Sequence, residues 1–199
     1  MPDLLPRWLH LFPGTDPAFG DLAARYGEPT RHYHTLDHIR AVLDRVDALW
    51  PDAPQTLELA AWLHDVVYDS RAADNEERSA DYARALLPTL GVAESTIDET
   101  ARLILLTRSP EADRADRAGQ TLLDADLAIL ASDEATYDAY ADAIRREYAW
   151  VQEPDYREGR RRVLERFRAR PRIFFTMEMI EAEPQACSNM AREIGRLRL

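Results

Sequence analysis

The residues best suited to chemistry lie in one short part of the chain, over residues 31–69. This stretch holds four of the five histidines of the sequence, and its last histidine, His64, is followed directly by Asp65. His34 and His38 are four residues apart, so they share one face if both are helical. Imidazoles and a carboxylate that two buried helices aim at each other are a donor set for a divalent metal ion. The spacing therefore predicts a metal centre.

A further candidate ligand, Asp126, lies in a distant apolar segment. Neighbouring helical positions diverge by about 100°, so His64 and Asp65 can flank one ion only when other helices bring ligands from the far side. An unpaired carboxylate in apolar surroundings is costly, so Asp126 needs a partner. A cap or ion pair would explain Asp126 alone, and a core position would explain His64 alone. The joint pattern favours a metal site with the ligands His38, His64, Asp65 and Asp126.

Imidazole and carboxylate ligands suit manganese, nickel, iron, zinc or cobalt, and magnesium where carboxylate and water dominate. The composition limits what else the protein does. A formal net charge of −11 disfavours nucleic acid polymers and anionic membranes as partners, but it leaves room for a small anionic substrate. A single cysteine, Cys187, excludes an internal disulfide and fits a reducing compartment. With no signal peptide and no long apolar run, we expect a cytoplasmic protein.

The elements that must position these side chains have helical spacing. Apolar residues recur with a period of about 3.6 around His38, and again in a second helix that carries His64 and Asp65. There is no internal repeat and no useful strand-like alternation. The sequence predicts an all-α bundle of about nine or ten helices in a single domain, 1–199. Its metal-site core would span about 31–130, with the helices of 133–199 packed on it.

Local signals predict where some helices begin and end. Asp74 with Glu77 has the spacing of a capping box, and Asp133 has the position of an N-cap for a helix that continues through Val151. The segment 109–120 is polar and charged, which predicts a mobile surface loop.

The order H…HD…D of the four candidate ligands resembles the HD superfamily of metal-dependent phosphohydrolases. The stretch YHTLDH is also similar to the YHNxxH signature of cyclic-nucleotide phosphodiesterases, although Thr35 replaces the asparagine, so the chain is not one of those enzymes. The resemblance extends to a family of uncharacterised bacterial predicted HD-superfamily hydrolases over about residues 31–189. Its motifs RxYHxxxHI, FHDxVYD, DNExxSA, DADL, RxEY and GR correspond here to RHYHTLDHI, LHDVVYD, DNEERSA, DADL, RREY and EGR.

The resemblance implies an all-helical fold and a metal site, but it does not fix a substrate. Members with two metals usually supply further histidines between the HD pair, here His64 and Asp65, and the last aspartate, here Asp126. This chain has no histidine there. We therefore expect one ion, with an activated water as the nucleophile. Asp65 is counted as a catalytic residue as well as a ligand.

His34 is the candidate general acid. It precedes His38 by one helical turn, and in the similar phosphodiesterase motif the equivalent histidine protonates the leaving oxygen. A surface or loop histidine is the alternative interpretation. Asp69, Asn75 and Glu76 follow the HD pair closely, and we expect them to orient a ligand or a water at the metal. A helix cap explains that acidic segment equally well.

A phosphate group requires cations, and the arginine fork matches phosphate geometry. Arg31 lies beside the site in the sequence, while Arg145 and Arg160 fall on motifs of the similar family, so these three are candidate substrate-binding residues. Offsetting an acidic surface is the alternative role for most arginines. Tyr148 and Tyr156 are candidates for stacking on a base, although helix-spaced aromatic residues are more typical of a core.

The leading hypothesis is a phosphohydrolase that acts on a small phosphorylated metabolite or nucleotide. A second hypothesis is a non-catalytic module that binds a nucleotide or a metal. A third is an iron-dependent oxygenase of the HD fold, but such enzymes generally use more histidines than this chain offers. The expected partners are a small phosphorylated substrate and a second copy of the chain in a homodimer.

Overall fold

The structure, a computed structural model, describes residues 4–198, and its regular elements are all helical. The α-helices are α1 (Leu5–Leu11), α2 (Asp16–Tyr26), α3 (Leu36–Leu49), α4 (Gln55–Leu63), α5 (Asn75–Leu86), α6 (Glu94–Leu106), α7 (Arg117–Leu127), α8 (Glu134–Glu147), α9 (Glu153–Arg168), α10 (Met177–Ile180) and α11 (Glu183–Leu197). Two 3₁₀ helices, Leu87–Leu90 and Ala128–Ala131, follow α5 and α7. The all-α prediction is confirmed, with eleven α-helices over residues 4–198 rather than nine or ten.

The two helices nearest the candidate ligands are shorter than predicted. Thr35 is the N-cap of α3 and its side chain accepts a hydrogen bond from the Asp37 amide, so His34 precedes the helix. The second of these helices, α4, ends at Leu63, and His64 is its C-cap residue. The condition under which His34 would share a helical face with His38 is therefore not met, and the prediction that His64 and Asp65 lie inside a helix is wrong.

Of two predicted helix caps, one does not form and the other does. The side chain of Asp74 makes no capping hydrogen bond, and Glu77 instead pairs with Arg108 across the surface, so the predicted capping box does not form. Asp133 is confirmed as an N-cap because its carboxylate accepts from the Thr136 amide.

Two element boundaries also differ from the expected ones. Helix α8 ends at Glu147 rather than continuing through Val151. The predicted loop 109–120 is helical over its last residues, because the Asp116 carboxylate accepts from the Gly119 amide and caps α7.

The buried apolar side chains form two clusters. The first is built from α1 to α7 and includes Trp8 and Trp62, whose rings meet edge to face at 5.5 Å. The second is built mainly from α8, α9, α11 and the segments around them, and it includes the buried Tyr137. The chain passes from the first cluster to the second between Ala125 and Leu130. Asp126 therefore lies at the junction of the two clusters.

No helix within residues 4–198 is both long enough and apolar enough to cross a bilayer.

A second carboxylate, Asp124, fastens the C-terminal part of the chain to α7. Its side chain has no exposed surface, and it accepts hydrogen bonds from the amides of Phe175 and Thr176 at 2.9 and 2.7 Å. The Thr176 hydroxyl donates to the same carboxylate at 2.6 Å. Because buried donors need acceptors, this one side chain fixes the path of the segment before α10.

We expect Asp124→Ala to lower the free energy of unfolding by about 2 kcal/mol or more, since it leaves two amides and a hydroxyl without their acceptor. Urea unfolding followed by circular dichroism measures the change. Asp44→Ala is the matched control, because Asp44 is exposed on α3 and its removal should change stability by less than about 0.5 kcal/mol. Equal effects of the two substitutions would contradict the assignment.

Candidate metal centre

Four side chains bring one ligand atom each to a common point. His38 comes from α3, His64 and Asp65 from the end of α4, and Asp126 from the last turn of α7, and the four ligand atoms all lie within 4.8 Å of one another. His38 Nε2 is 3.2 Å from both His64 Nε2 and Asp126 Oδ1, and His64 Nε2 is 3.1 Å from Asp65 Oδ2. Ligand atoms bound about 2.1 Å from one ion lie roughly 3 Å apart. The donor set therefore fits a single divalent metal ion.

The end of α4 explains how neighbouring residues reach the same point. Within a helix the side chains of His64 and Asp65 would diverge by about 100°. Because the helix stops at Leu63, the chain turns and the Asp65 carboxylate comes back to the His64 ring. His64 Nδ1 lies 3.1 Å from the Ala61 carbonyl oxygen. We assign the proton to this Nδ1, which leaves the lone pair of Nε2 directed at the cluster.

The four groups shift one another's pKa values. Burial by itself lowers the pKa of His38 and His64, but the carboxylates of Asp126 and Asp65 outweigh burial and raise both values, that of His64 strongly. Burial raises the pKa of the two aspartates, but the imidazoles outweigh it and hold both carboxyl pKa values below their usual range. The carboxylates are therefore ionised at neutral pH and attract protons or a metal ion to the imidazoles between them.

Next to this cluster, His34 is held in one orientation by Glu147. The His34 Nδ1 lies 2.7 Å from the Glu147 carboxylate, and the ring stacks on Tyr68 with centroids 4.0 Å apart. The same carboxylate accepts hydrogen bonds from the amides of His32, Tyr33 and His34 at 2.7 to 3.0 Å. The His34 ring centroid is 5.8 Å from that of His38. With Nδ1 occupied, Nε2 is the nitrogen of His34 that remains for proton transfer.

Glu147 was missed by the sequence analysis, although a signal for it was present. The motif RREY contains Glu147, but it directed attention to Arg145. Burial raises the pKa of Glu147, but hydrogen bonds from the His34 ring and from the amides of Tyr33 and His34 outweigh burial and lower the pKa to about 2. Glu147 is therefore a carboxylate throughout the neutral range, so it accepts the hydrogen bond that His34 Nδ1 donates.

Arg31 is corrected from a phosphate ligand to a positioning residue. Its guanidinium donates to the carbonyl oxygens of Asp65 at 2.6 Å and Val66 at 3.0 Å, and its Nε donates to Glu28. The side chain is 1% exposed, so no substrate reaches it. Arg31 instead fixes the turn that carries Asp65 against the loop that carries His34.

Of the other two arginines, Arg160 lines the larger of two clefts beside the candidate metal centre, and Arg145 lines neither of them. Arg145 donates to Glu153 and to the Tyr148 carbonyl oxygen, so it fastens the turn between α8 and α9. Arg160 donates to the buried Glu193 carboxylate at 2.8 Å, yet it also lines the cleft beside the metal centre. Of the three arginines predicted to bind substrate, Arg160 therefore stays the candidate.

The three residues expected to orient groups at the metal have different positions. The Asp69 carboxylate accepts from the Arg71 amide on an exposed turn, so it orients no ligand. The Asn75 side chain makes two hydrogen bonds to the backbone of Asp69 and holds the loop after the HD pair closed. Glu76 lines the cleft.

Two clefts adjoin the metal centre. The larger has a volume of about 940 Å³ and is lined by His34 and Arg160 among other residues. The smaller has a volume of about 530 Å³ and is lined by His38 and many alanines. Asp126 and Tyr140 line both clefts, so the cluster lies where they meet. A substrate in the larger cleft could therefore contact both the metal centre and His34. Tyr148 and Tyr156 line this cleft as well.

The comparison with solved structures gives one full-length match. It is a crystal structure of a predicted HD superfamily hydrolase from an uncultured Thermotogales bacterium, with a TM-score of 0.57 and 19% sequence identity, covering 98% of this chain and 95% of that one. This chain has the HD-domain helical fold. At this identity the likeness shows the fold alone. No protein-family model and no curated protein matches the chain.

We expect the purified protein to bind about one equivalent of a divalent ion, and Asp126→Ala to weaken that binding by at least about a hundredfold, since it removes a charged ligand from the four-residue cluster. Binding should strengthen as pH rises, because the ion displaces protons from imidazoles whose pKa values are raised. Elemental analysis and calorimetric titration at several pH values measure both effects.

Asp37→Asn is the matched control for metal binding, because Asp37 is exposed on the first turn of the helix that carries His38. It should bind the ion like the wild type. A wild-type protein that takes up no ion on titration would overturn the assignment of the metal centre.

We expect Glu147→Gln to lower the free energy of unfolding by about 3 kcal/mol at neutral pH, from the difference between the ordinary carboxyl pKa of 4.5 and the folded value of about 2. When folding lowers the pKa of a carboxyl group, the added stability is fully present above the pKa of the unfolded chain. It is lost as pH falls through the pKa of the folded protein. The gap between wild type and variant should therefore close between about pH 5 and pH 2.

Thermal and urea unfolding over this pH range measure the Glu147 effect. Glu181→Gln is the control, because Glu181 is exposed and should show little difference at any pH. A gap that is constant with pH would show that the ionised carboxylate is not the stabilising form.

Proposed function

We propose that this protein is a metal-dependent phosphohydrolase that acts on a small phosphorylated compound. The observation that carries the proposal is the position of His34 in the same cleft as Asp126, next to four converging ligand atoms. An acid–base group beside a divalent-ion site is what the cleavage of a phosphate ester requires. The HD-domain fold supports the proposal, since the structural neighbour is a predicted hydrolase.

The residues of the chain divide the chemistry between them. A divalent ion held by His38, His64, Asp65 and Asp126 would supply Lewis acidity towards a phosphoryl oxygen and lower the pKa of a water. His34 donates a proton from Nε2 to the leaving oxygen, while Glu147 accepts the hydrogen bond of Nδ1 and holds the ring in place. Tyr68, stacked on the ring, restricts its rotation.

The cleft also offers a cation for the phosphate. Burial lowers the pKa of the Arg160 guanidinium, but the neighbouring Tyr140 side chain and the hydrogen-bonded Glu193 carboxylate outweigh burial and raise it, so Arg160 stays charged. Its guanidinium lies 5.2 Å from the centre of the Tyr140 ring, which lines the same cleft. We propose that Arg160 attracts the phosphate group to the metal centre.

We expect the wild type, loaded with manganese, nickel, iron, zinc, cobalt or magnesium, to hydrolyse one or more esters in a screen of phosphatase and nucleotidase substrates. His34→Ala should lower kcat by about a hundredfold to ten-thousandfold, as loss of a general acid does, while the protein keeps its metal. His10→Ala is the matched control, because His10 is exposed on α1 and should leave kcat unchanged.

The outcomes separate the hypotheses. A metal-loaded wild type that hydrolyses no ester, yet binds phosphorylated ligands, would replace the hydrolase with a non-catalytic binding module. Turnover that His34→Ala leaves unchanged under saturating substrate would keep the hydrolase but remove the general acid. A leaving group of low pKa, such as nitrophenol, should reduce the effect of His34→Ala because it needs less protonation.

A further inference from the structure

Two arginines of the larger cleft lack the ion-pair partners that most arginines of this protein have. Arg166 and Arg170 both line the cleft that contains Asp126 and His34. Among residues 4–198, neither forms an ion pair, whereas the cleft residue Arg160 is bound to a buried carboxylate. Arg170 Nη1 is buried without a hydrogen-bond partner in this part of the chain. Two positive charges thus face the cleft with their donors unused.

Their position along α9 is distant from the metal centre. Arg160 is the residue of α9 that contacts the surroundings of the metal centre. Its guanidinium packs on Tyr140, and the Tyr140 ring centroid lies 4.7 Å from that of Tyr33. The Tyr33 ring centroid in turn lies 4.8 Å from that of His38. A helix rises about 1.5 Å per residue, so Arg166 lies about 9 Å farther along the axis than position 160. Arg170 follows the helix end at the same side of the cleft.

The wall between the two ends is apolar and open. Val163 and Phe167 line the cleft on α9, and Leu127 lines it from the segment just after Asp126. Gly159 also lines the cleft, and a Cβ atom added there would meet nothing within 4 Å. The missing side chain therefore leaves room beside the metal centre. Phe167 also supports the Arg170 guanidinium, which lies 5.1 Å from the ring centre.

The acidic residues that line the cleft do not neutralise these charges through ion pairs. Asp155 lies on the first turn of α9, about 16 Å along the axis before Arg166. Glu76 lies near Tyr148. Burial raises the pKa of Tyr148 and a hydrogen bond with Tyr68 lowers it, and the Glu76 charge adds to the increase. Glu111 lies on the segment between α6 and α7 that forms a lip of the cleft. None of these three carboxylates pairs with Arg166 or Arg170, so among the described residues both guanidinium groups stay free at the distal end of the cleft.

We propose that the substrate is an elongated phosphate ester with a second phosphate group, which Arg166 and Arg170 bind while the scissile phosphate lies at the metal centre. The identity of the reacting end rests on the proposed function, and the distal site goes beyond it. Two guanidinium groups match the charge and geometry of a phosphate dianion. The apolar wall between the ends fits a spacer or ring without charges. The structure thereby selects against short phosphate esters with one anionic end.

Binding of two matched phosphonates tests the distal site without turnover, because their C–P bonds resist hydrolysis. Hexylphosphonate carries one phosphonate, and hexanediyl bisphosphonate carries a second at the far end of the same apolar chain. We expect the metal-loaded wild type to bind the bisphosphonate about tenfold or more tightly, as charge-assisted hydrogen bonds to a second anion require. The preference should shrink with added salt.

The double variant Arg166→Gln/Arg170→Gln should bind the two ligands with the same affinity. Arg168→Gln is the matched control, because Arg168 is exposed on the same last turn of α9 but does not line the cleft, and it should keep the full preference. The single variants are measured beside the double variant, with circular dichroism and metal content as checks of folding. A wild type without a preference, or a double variant that keeps it, would overturn the distal site.

The binding test of the distal site and the activity test of the proposed function have independent outcomes. A protein that hydrolyses no ester but prefers the bisphosphonate keeps the distal site and loses the hydrolase. A protein that hydrolyses esters but has no such preference keeps the hydrolase and loses the distal site.

Discussion

The buried carboxylate of Glu147 is the interaction on which the geometry of the site depends most. It accepts three consecutive backbone amides and the His34 ring, and it reaches them from the end of α8, 113 residues later in the chain than His34. Buried amides in an irregular loop need acceptors, and no helix or sheet supplies them here. The second apolar cluster thus fixes the loop that leads into α3, and through it the helix that carries His38.

A second constraint acts on the turn after α4. His64 and Asp65 can point to one place only because the helix ends between Leu63 and Asp65, and a turn that exposes carbonyl oxygens inside a protein needs donors. Arg31 supplies them with a guanidinium that is almost fully buried. The same side chain donates to the His34 carbonyl oxygen, so it joins the loop of the proposed acid to the turn that carries the candidate metal ligands.

The proposals together describe a cleft with an uneven distribution of charge. At one end, two buried imidazoles lie between two carboxylates whose pKa values are lowered, which suits a cation. Along α9 the wall becomes apolar, and at the far end Arg166 and Arg170 have no carboxylate partner among the described residues. Arg170 Nη1 is buried without a hydrogen-bond partner in the described part of the chain, so an anion bound at the far end would satisfy a donor that the fold leaves unpaired.

The sequence alone determined the all-α class and the four residues whose ligand atoms converge, because helical periodicity and donor type are local properties of a chain. It did not determine that α4 stops before Asp65, since the turn that ends the helix is held by hydrogen bonds from Arg31, which is distant in the sequence. It also could not assign the arginines: Arg31, Arg145 and Arg160 look alike in a sequence, and only folding decides which carbonyl or carboxylate each one meets. Glu147 lay in a recognised motif, but its role depends on a loop distant in the chain. The tertiary structure decided these points because burial turns each unpaired donor or charge into a cost that a distant residue must offset.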